Sequence, residues 1–211
     1  MNDYENDRFE ESLNEIKEQF REVLTSYKFL LSAVEGVDSW AVPDAIVDER
    51  RYSYVPIPIT EFIKWISELD DYLRNDPDFR HNMKKYRPFS FLEIGCGIGR
   101  NLNIVSRQSV LPVAKAVGFD SVSAYIDIAR QIHGLGENVF VGDCMDFDYS
   151  GFDVVYFYRP FSDEDAEKEF EKKLIFSMKK GAIVIGASTE YIDQSREMMP
   201  VGYSGSMFKK L

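Results

Sequence analysis

Three glycines at alternate positions, preceded by an acid, are the residues of this sequence whose types and spacing point most directly to chemistry. The pattern Glu93-x-Gly95-x-Gly97-x-Gly99 ends an apolar run, and a run compatible with a helix starts at Asn101. Glycine adopts left-handed backbone conformations at little cost and has no Cβ, so the chain can turn sharply here and a ligand can approach the main chain closely. The pattern predicts a strand, a tight turn and a helix, with a ligand held at the turn.

Two classes of ligand compete for this turn. A dinucleotide site has the pattern G-x-G-x-x-G with the pyrophosphate at the start of the following helix. Here Arg100 stands at the third glycine position and Gly99 comes one residue too early. The pattern E-x-G-x-G-x-G, with Cys96 inside it, resembles motif I of the class I S-adenosylmethionine-dependent methyltransferases. In that family the turn packs under the amino-acid part of the cofactor, and no phosphate is held.

An acid follows the next predicted strand. The apolar run from Lys115 to Phe119 ends at Asp120, and a helical pattern runs from about Val122 to His133. One carboxylate can accept hydrogen bonds from both vicinal hydroxyls of a ribose, and dinucleotide enzymes place an acid similarly. Asp120 therefore predicts a ribose-bearing cofactor without choosing between the two classes. The alternative is that Asp120 only caps the helix.

A second acid follows the third predicted strand, in the run Gly142-Asp143-Cys144-Met145. The methyltransferase resemblance implies that Asp143 lies near the adenine amino group, that the backbone of Cys144 meets the adenine, and that Met145 covers the ring. The implied cofactor is S-adenosyl-L-methionine. The cofactor-binding residues that the resemblance implies are Glu93, Gly95, Cys96, Gly97, Gly99, Asp120, Asp143, Cys144 and Met145.

The fourth predicted strand, Phe152 to Tyr158, leads into Arg159-Pro160-Phe161, where the family places its substrate-facing motif. Members that methylate nucleobase amines carry an Asp or Asn, two prolines and an aromatic residue there. The amide or carboxylate is absent here, so we expect Tyr158, Arg159 and Phe161 to bind an anionic or aromatic small molecule, with Arg159 gripping a carboxylate or phosphate. The alternative is that Arg159 is an exposed charge or pairs with a nearby acid.

No side chain identifies itself as a general base, and no cluster of residues suggests a metal. Tyr158, Tyr54 and Asp146 are the candidates for a base, which methyl transfer requires only if the acceptor must lose a proton. Two other functions stay open. One is a non-catalytic interaction protein that binds S-adenosylmethionine or S-adenosylhomocysteine, and the other is a nucleotide-cofactor oxidoreductase.

The order of the elements predicts an α/β fold. Strands alternating with helices imply a doubly wound, mostly parallel sheet with right-handed crossovers. The resemblance implies the seven-stranded Rossmann-like sheet of the methyltransferases, ending in an antiparallel pair, for which residues 198–211 supply a hairpin. Every residue named above as a site candidate, Tyr54 apart, lies at the carboxyl end of a strand, where cofactors bind in such sheets.

The N-terminal part predicts a helical extension. We expect residues 1–88 to form it and residues 89–211 to form the cofactor-binding domain. An apolar stripe from Phe9 to Val34 has helical spacing, and it packs on its own chain or on a partner helix in a homodimer. Residues 40–54 form either a lid or a proline-stiffened connection. A second helix is predicted from Thr60 to Leu73, and a short helical segment at Asp76-Pro77.

The composition limits which cellular compartments and which binding partners are expected for this protein. The chain has 211 residues, which suits one domain with an appendage, and a formal net charge of -11. Negative charge disfavours nucleic acid as a partner. Two cysteines are too few for a disulfide scaffold or a zinc knuckle, and we expect free thiols. No apolar run approaches the roughly 20 residues that span a bilayer, and the acidic start differs from a signal peptide. We expect a cytoplasmic protein acting on a small molecule.

Overall fold

A computed structural model describes residues 50–51, 54–82, 85–107, 111–187 and 189–211. The predicted helical stripe from Phe9 to Val34, with its alternative of a homodimer, lies outside the described residues. So does most of the segment 40–54, of which residues 50, 51 and 54 are described. The division of the chain at residue 88 stays a prediction.

A seven-stranded sheet forms the centre of the described part. Five parallel strands are followed by an antiparallel pair at one edge, as predicted. Two short strands, β1 (Arg80–Asn82) and β2 (Lys85–Tyr86), form a separate ladder. The strands of the large sheet are β3 (Phe89–Ile94), β4 (Val113–Asp120), β5 (Val139–Val141), β6 (Val154–Tyr158), β7 (Ile183–Ala187), β8 (Met198–Val201) and β9 (Met207–Lys210), in the order β5-β4-β3-β6-β7-β9-β8.

The described helices are α1 (Ile59–Asn75), α2 (Arg100–Arg107), α3 (Ser123–His133) and α4 (Glu164–Ser177), and short 3-10 helices cover Gly136–Asn138 and Ile192–Gln194. Local sequence explains two of their ends. Gly134 ends α3 in the left-handed conformation, with φ of 63°, and the carboxylate of Asp163 caps α4 by accepting the amide of Ala166 at 2.8 Å.

Apolar side chains cover both faces of the sheet. Phe62 of α1 contacts Tyr156 of β6, with 5.1 Å between ring centroids, and on the opposite face Phe157 and Phe170 of α4 meet edge to face at 5.2 Å. Helix α1 is also tied to the far edge of the sheet, because the buried carboxylate of Glu68 accepts amides from the β8–β9 turn. The helix predicted from Thr60 to Leu73 therefore forms one layer of the sheet's own core.

The prediction of a short helical segment at Asp76-Pro77 is wrong. Residues 77–79 form a turn that leads into β1. The carboxylate of Asp76 holds this turn by accepting the amide of Asp78 at 2.8 Å, the hydroxyl of Tyr72 at 2.5 Å and the ammonium of Lys209 at 2.6 Å. An Asp side chain that bonds the backbone two residues on favours a turn over a continuing helix. In the described part of the chain, no helix has both the length and the apolar composition to cross a membrane.

Candidate cofactor site

The candidate site is a cleft at the carboxyl ends of β3, β4 and β6. The strand order reverses at β3, which pairs with β4 on one side and β6 on the other. Crevices at such a reversal are the usual ligand sites of open α/β sheets. The empty space in and around the cleft, including the open solvent at its mouth, is about 920 Å³. Its walls come from the glycine turn, the ends of these strands, the start of α2 and the residues that precede α1.

The three glycines of the turn do different work, although all three have positive φ (67°, 52° and 80°). A Cβ on Gly95 would meet nothing within 4 Å, so the main chain there is open to a ligand. A Cβ on Gly97 would lie 2.3 Å from a ring carbon of Tyr54, whose side chain covers the turn. A Cβ on Gly99 would lie 2.5 Å from Leu135, so this glycine lets the turn pack against the C-terminal end of α3.

Asp120 ties the turn to the next strand. One carboxylate oxygen accepts the amide of Gly97 and the other the amide of Val122, both at 2.9 Å. Burial raises the pKa of Asp120 above its usual value, although the amides of Val122 and Gly97 oppose the rise. A carboxylate has about four acceptor positions, so the group keeps capacity for ribose hydroxyls. Val122 precedes α3, and no side chain caps the amides of the helix itself, so the alternative that Asp120 only caps the helix is not what the structure shows. The carboxylate instead ties the glycine turn to the end of β4 and leaves room for the ligand role.

Glu93 is the most buried acid of the cleft, with 2% of its surface exposed. Its Oε1 accepts the side-chain amide of Asn101 at 3.0 Å, and its Oε2 has no hydrogen-bond partner. Burial raises the pKa of Glu93 to about 8. A buried carboxylate oxygen without a donor is costly, so this atom suits a ligand that brings N–H groups.

Of the three residues predicted to contact the adenine, only one lines the cleft. Cys144 is buried and lines the cleft, whereas Asp143 and Met145 are not among the lining residues. Asp143 instead binds Arg51 at 2.7 Å and the amide of Met145 at 2.8 Å. Burial raises the pKa of Asp143, but the Met145 amide and the Arg51 guanidinium outweigh it, and the pKa falls below its usual value. The carbonyl of Cys144 accepts the hydroxyl of Tyr149 at 2.7 Å.

Of the three residues predicted to contact the substrate, two line the cleft and one does not. Tyr158 and Arg159 line the cleft, and Arg159 is the one non-glycine residue of the described part with positive φ, at 46°. Phe161 does not line it, because the ring is buried against Phe170, 6.0 Å between centroids. Of the candidates for a base, Tyr54 and Tyr158 line the cleft, and Asp146 is exposed elsewhere.

Among the lining residues that the sequence interpretation missed are Arg51, Arg100, Asn101, Tyr125 and Tyr156. Arg100 explains the departure from the dinucleotide pattern. It is 3% exposed and its guanidinium donates to the carbonyl of Ile57 at 2.5 Å, which fixes the start of α2 to the segment before α1. The described residues contain no group of three or more His, Cys, Asp or Glu side chains placed to hold a metal ion.

The seven-stranded, mostly parallel sheet with its antiparallel edge pair, and the position of the cleft, match the expectation drawn from the resemblance. The chain has the fold of the class I methyltransferases. Neither a family model nor a curated protein matches the sequence.

Several solved methyltransferase structures are similar to the chain. An RNA methyltransferase from Salinibacter ruber in complex with S-adenosyl-L-homocysteine is 19% identical, with a TM-score of 0.49, over 74% of this chain and 91% of that one. The plantazolicin methyltransferase BpumL in complex with S-adenosylhomocysteine is 25% identical, with a TM-score of 0.45, over 60% of this chain. The match spans 47% of that protein.

A third similar structure is an S-adenosylmethionine-bound amino pentose methyltransferase from Micromonospora echinaspora. It is 17% identical, with a TM-score of 0.43, over 64% of this chain and 58% of that one. The first two structures contain S-adenosylhomocysteine and the third contains S-adenosylmethionine.

Proposed function

We propose that the cleft binds S-adenosylmethionine and that the protein transfers its methyl group to a small-molecule acceptor. The observation that carries this proposal is that the buried Oε2 of Glu93 has no hydrogen-bond partner, in a residue that lines the cleft beside the glycine turn. An ammonium group, such as that of the cofactor's amino-acid end, supplies both the missing donor and the missing positive charge.

The other cleft residues fit the rest of the cofactor. The open main chain at Gly95 allows close approach of the amino-acid end. Asp120 would bind the ribose hydroxyls, and Cys144 lies where the adenine would extend. Asp143 stays a proposed contact of the adenine amino group, and the Arg51 guanidinium would have to share its carboxylate with that group.

A dinucleotide fits this cleft less well. A pyrophosphate needs free main-chain amides at the turn and at the start of the helix. The amide of Gly97 already donates to Asp120, and the ring of Tyr54 covers that glycine. A phosphate at the turn would also lie close to the carboxylate of Asp120, which repels it, and would bring no N–H donor to Oε2 of Glu93.

The main task of the protein in this reaction is to position the acceptor relative to the methyl group. When bound, S-adenosylmethionine supplies an electrophilic methyl group. The chain has to hold the acceptor in line with that group and keep water away. Tyr158 and Arg159, at the end of β6, would orient an anionic or aromatic acceptor. Of the predicted candidates for a general base, Tyr54 and Tyr158 are the two that line the cleft.

Calorimetric titration with S-adenosylmethionine, S-adenosylhomocysteine and NADH tests the cofactor. We expect micromolar binding of the two adenosyl ligands and none of NADH. Asp120→Ala should weaken adenosyl binding at least about tenfold, roughly 1.4 kcal/mol. Asp127→Ala, which changes an exposed acid on α3, is the matched control and should bind as the wild type does. Binding of NADH alone would overturn the proposal.

Turnover separates an enzyme from a binding protein. We expect S-adenosylhomocysteine to accumulate when the protein and S-adenosylmethionine are incubated with fractionated small-molecule extracts, and not with RNA. Accumulation with RNA alone would contradict the proposed acceptor class. Tight cofactor binding with no turnover on any fraction would favour the non-catalytic interaction protein.

A further inference from the structure

The hydroxyl of Tyr156 is the second unpartnered polar atom of the cleft. The side chain lines the cleft, is 1% exposed, and its hydroxyl has no hydrogen-bond partner. Its ring is fixed by aromatic neighbours, with centroids 5.1 Å from Phe62, 6.1 Å from Trp65 and 6.4 Å from Phe91. The apolar part is thus packed like a core phenylalanine, and only the hydroxyl lacks a partner.

Tyr156 and Glu93 are direct neighbours in the sheet. They are paired in the parallel register of β3 and β6, so their main chains lie about 4.8 Å apart and their side chains leave the same face. Phe91, two residues before Glu93, stacks on Tyr156, which fixes this face independently. Two buried polar groups without complete hydrogen bonding therefore share one end of the cleft.

A hydroxyl buried without a partner destabilises a folded protein, because its hydrogen bonds to water are lost and not replaced. Phenylalanine would fill the same space without that cost. The hydroxyl is therefore expected to find its partner in a bound ligand, and the ligand must match both it and the neighbouring carboxylate oxygen.

The charges around the pair define that ligand. Arg100 and the neutral Asn101 face it from α2, Asp120 from β4, and Tyr158 from its own strand. Cys96 in the turn and Glu61 on α1 are the remaining titratable neighbours. Burial, and then Glu93, raise the pKa of Tyr156 well above its usual value, so the hydroxyl stays protonated. It keeps lone pairs for a donor, as does Oε2 of Glu93.

We propose that the hydroxyl of Tyr156 and Oε2 of Glu93 together bind the ammonium group at the amino-acid end of the cofactor. An ammonium carries three N–H donors in a tetrahedral arrangement and can serve both acceptors at once. The inference rests on the proposed function and adds to it a cofactor-binding residue, Tyr156, that lies outside the glycine turn and the strand-end acids.

Tyr156→Phe tests the inference, since it removes the hydroxyl alone. We expect its affinity for S-adenosylhomocysteine to fall about tenfold, as for a lost hydrogen bond to a charged group. Its affinity for 5′-methylthioadenosine, which lacks the amino-acid end, should be unchanged. The melting temperature of the free variant should equal or exceed that of the wild type, because an unpartnered buried hydroxyl has been removed.

Tyr86→Phe is the matched control. Its hydroxyl donates to Asp70 at 2.8 Å, and Tyr86 is not among the lining residues, so this variant should bind both ligands normally and melt at a lower temperature. Unchanged S-adenosylhomocysteine affinity in Tyr156→Phe would overturn the inference and leave the proposed function standing. Equal losses for both ligands, or a melting temperature lowered as in the control, would also overturn it. A wild-type protein that binds neither ligand would refute the proposed function itself.

Discussion

At the scale of single residues, two acids near the cleft differ in the partners they have. The pKa of Glu93 is raised to about 8 because burial dominates, whereas the pKa of Asp143 is lowered because the Met145 amide and Arg51 outweigh its burial. In the ligand-free protein at neutral pH, Glu93 is therefore mostly protonated and Asp143 is charged. A ligand ammonium would restore the charge of Glu93 and displace its proton.

Cofactor affinity should accordingly depend on pH. An ammonium favours the ionised form of Glu93 and lowers its pKa, so binding below about pH 8 releases a proton and affinity rises with pH from 6 to 8. Titration of S-adenosylhomocysteine at pH 7, in buffers that differ in ionisation enthalpy, measures the proton released.

Glu93→Gln is the control for this linkage. It keeps the shape of the side chain and cannot release a proton, so its affinity should be lower and independent of pH in this range. Binding of 5′-methylthioadenosine to the wild type should release no proton either. Equal proton release from the wild type and from Glu93→Gln would show that another group titrates.

At the scale of elements, the glycine turn shows that one repeated residue type serves both ligand access and packing. Gly95 opens the main chain to the cleft, and Gly99 lets the turn approach α3. Both have positive φ, so an added side chain is strained at either position. Only at Gly99 does a Cβ also collide with core atoms, 2.5 Å from Leu135 and 2.9 Å from Ala129.

Alanine substitutions should separate these two roles. Gly99→Ala should lower the free energy of unfolding by roughly 2–4 kcal/mol, from backbone strain and overpacking together. Gly95→Ala should lower it by about 1 kcal/mol, from strain alone, and should weaken S-adenosylhomocysteine binding more than it weakens the fold. Urea unfolding and calorimetry measure both quantities. Equal losses of stability in the two variants would contradict the packing role of Gly99.

Arg51, in the segment before α1, lines the cleft on the side proposed for the adenine. Its guanidinium binds Asp143 at 2.7 Å and lies 5.3 Å from the ring centroid of Phe161, while the amide of Ser162 donates to the carbonyl of Arg50 at 2.8 Å. These contacts join the segment to the loops that follow β5 and β6. A half-exposed ion pair contributes little to stability, so its loss should affect ligand release more than folding.

Arg51→Met should therefore speed the dissociation of S-adenosylhomocysteine about fivefold, the effect of roughly 1 kcal/mol, with nearly unchanged unfolding. Stopped-flow displacement followed by intrinsic fluorescence measures the rate. Arg74→Met, which breaks an exposed ion pair with Asp70 on α1, is the control and should leave the rate unchanged. An unaltered rate in Arg51→Met would show that this contact does not restrain the ligand.

At the scale of the whole molecule, buried acids act on stability in opposite directions. At the amino end of the sheet, burial raises the pKa of Asp153, but Arg87, Lys179 and Ser90 outweigh it and keep the pKa well below its usual value. This contribution to stability is present above pH 3.8 and is lost as the pH falls through the lower folded value.

Glu93 and Glu167 behave in the reverse way, because burial raises both pKa values from 4.5 to about 8. The folded state then binds more protons than the unfolded state between these values, and stability falls as the pH rises. The formal charge of -11 adds repulsion in the same direction. The ligand-free protein should be most stable near pH 4 to 5.

Urea unfolding of the ligand-free protein at pH 5, 6.5 and 8 measures this profile. Glu93→Gln and Glu167→Gln should each be more stable than the wild type at pH 8, by on the order of a few kcal/mol, and should differ least from it at pH 5. Asp153→Asn should be less stable at every pH above 5. A wild-type protein most stable at pH 8 would contradict the assignment of neutral buried acids.

The features that the sequence determined by itself are those that depend on residues close together in the chain. The spacing of Gly95, Gly97 and Gly99 predicted the strand, turn and helix, and alternating apolar runs predicted the parallel sheet, because backbone freedom and periodicity act over a few residues. Gly134 and Asp163 ended and began helices as short-range signals do. The position of Asp120 at a strand end followed from the same pattern.

Only the tertiary structure decided which of these side chains face the cleft. Arg51 meets Asp143 across 92 residues of chain, and Glu68 holds a turn more than 130 residues away. Phe161 was expected at the substrate and packs in the core, whereas Tyr156, for which the sequence predicted no site role, lines the cleft and has an unpartnered hydroxyl. Burial and hydrogen-bond partners depend on distant elements meeting at one place, and no local pattern of residues encodes that meeting.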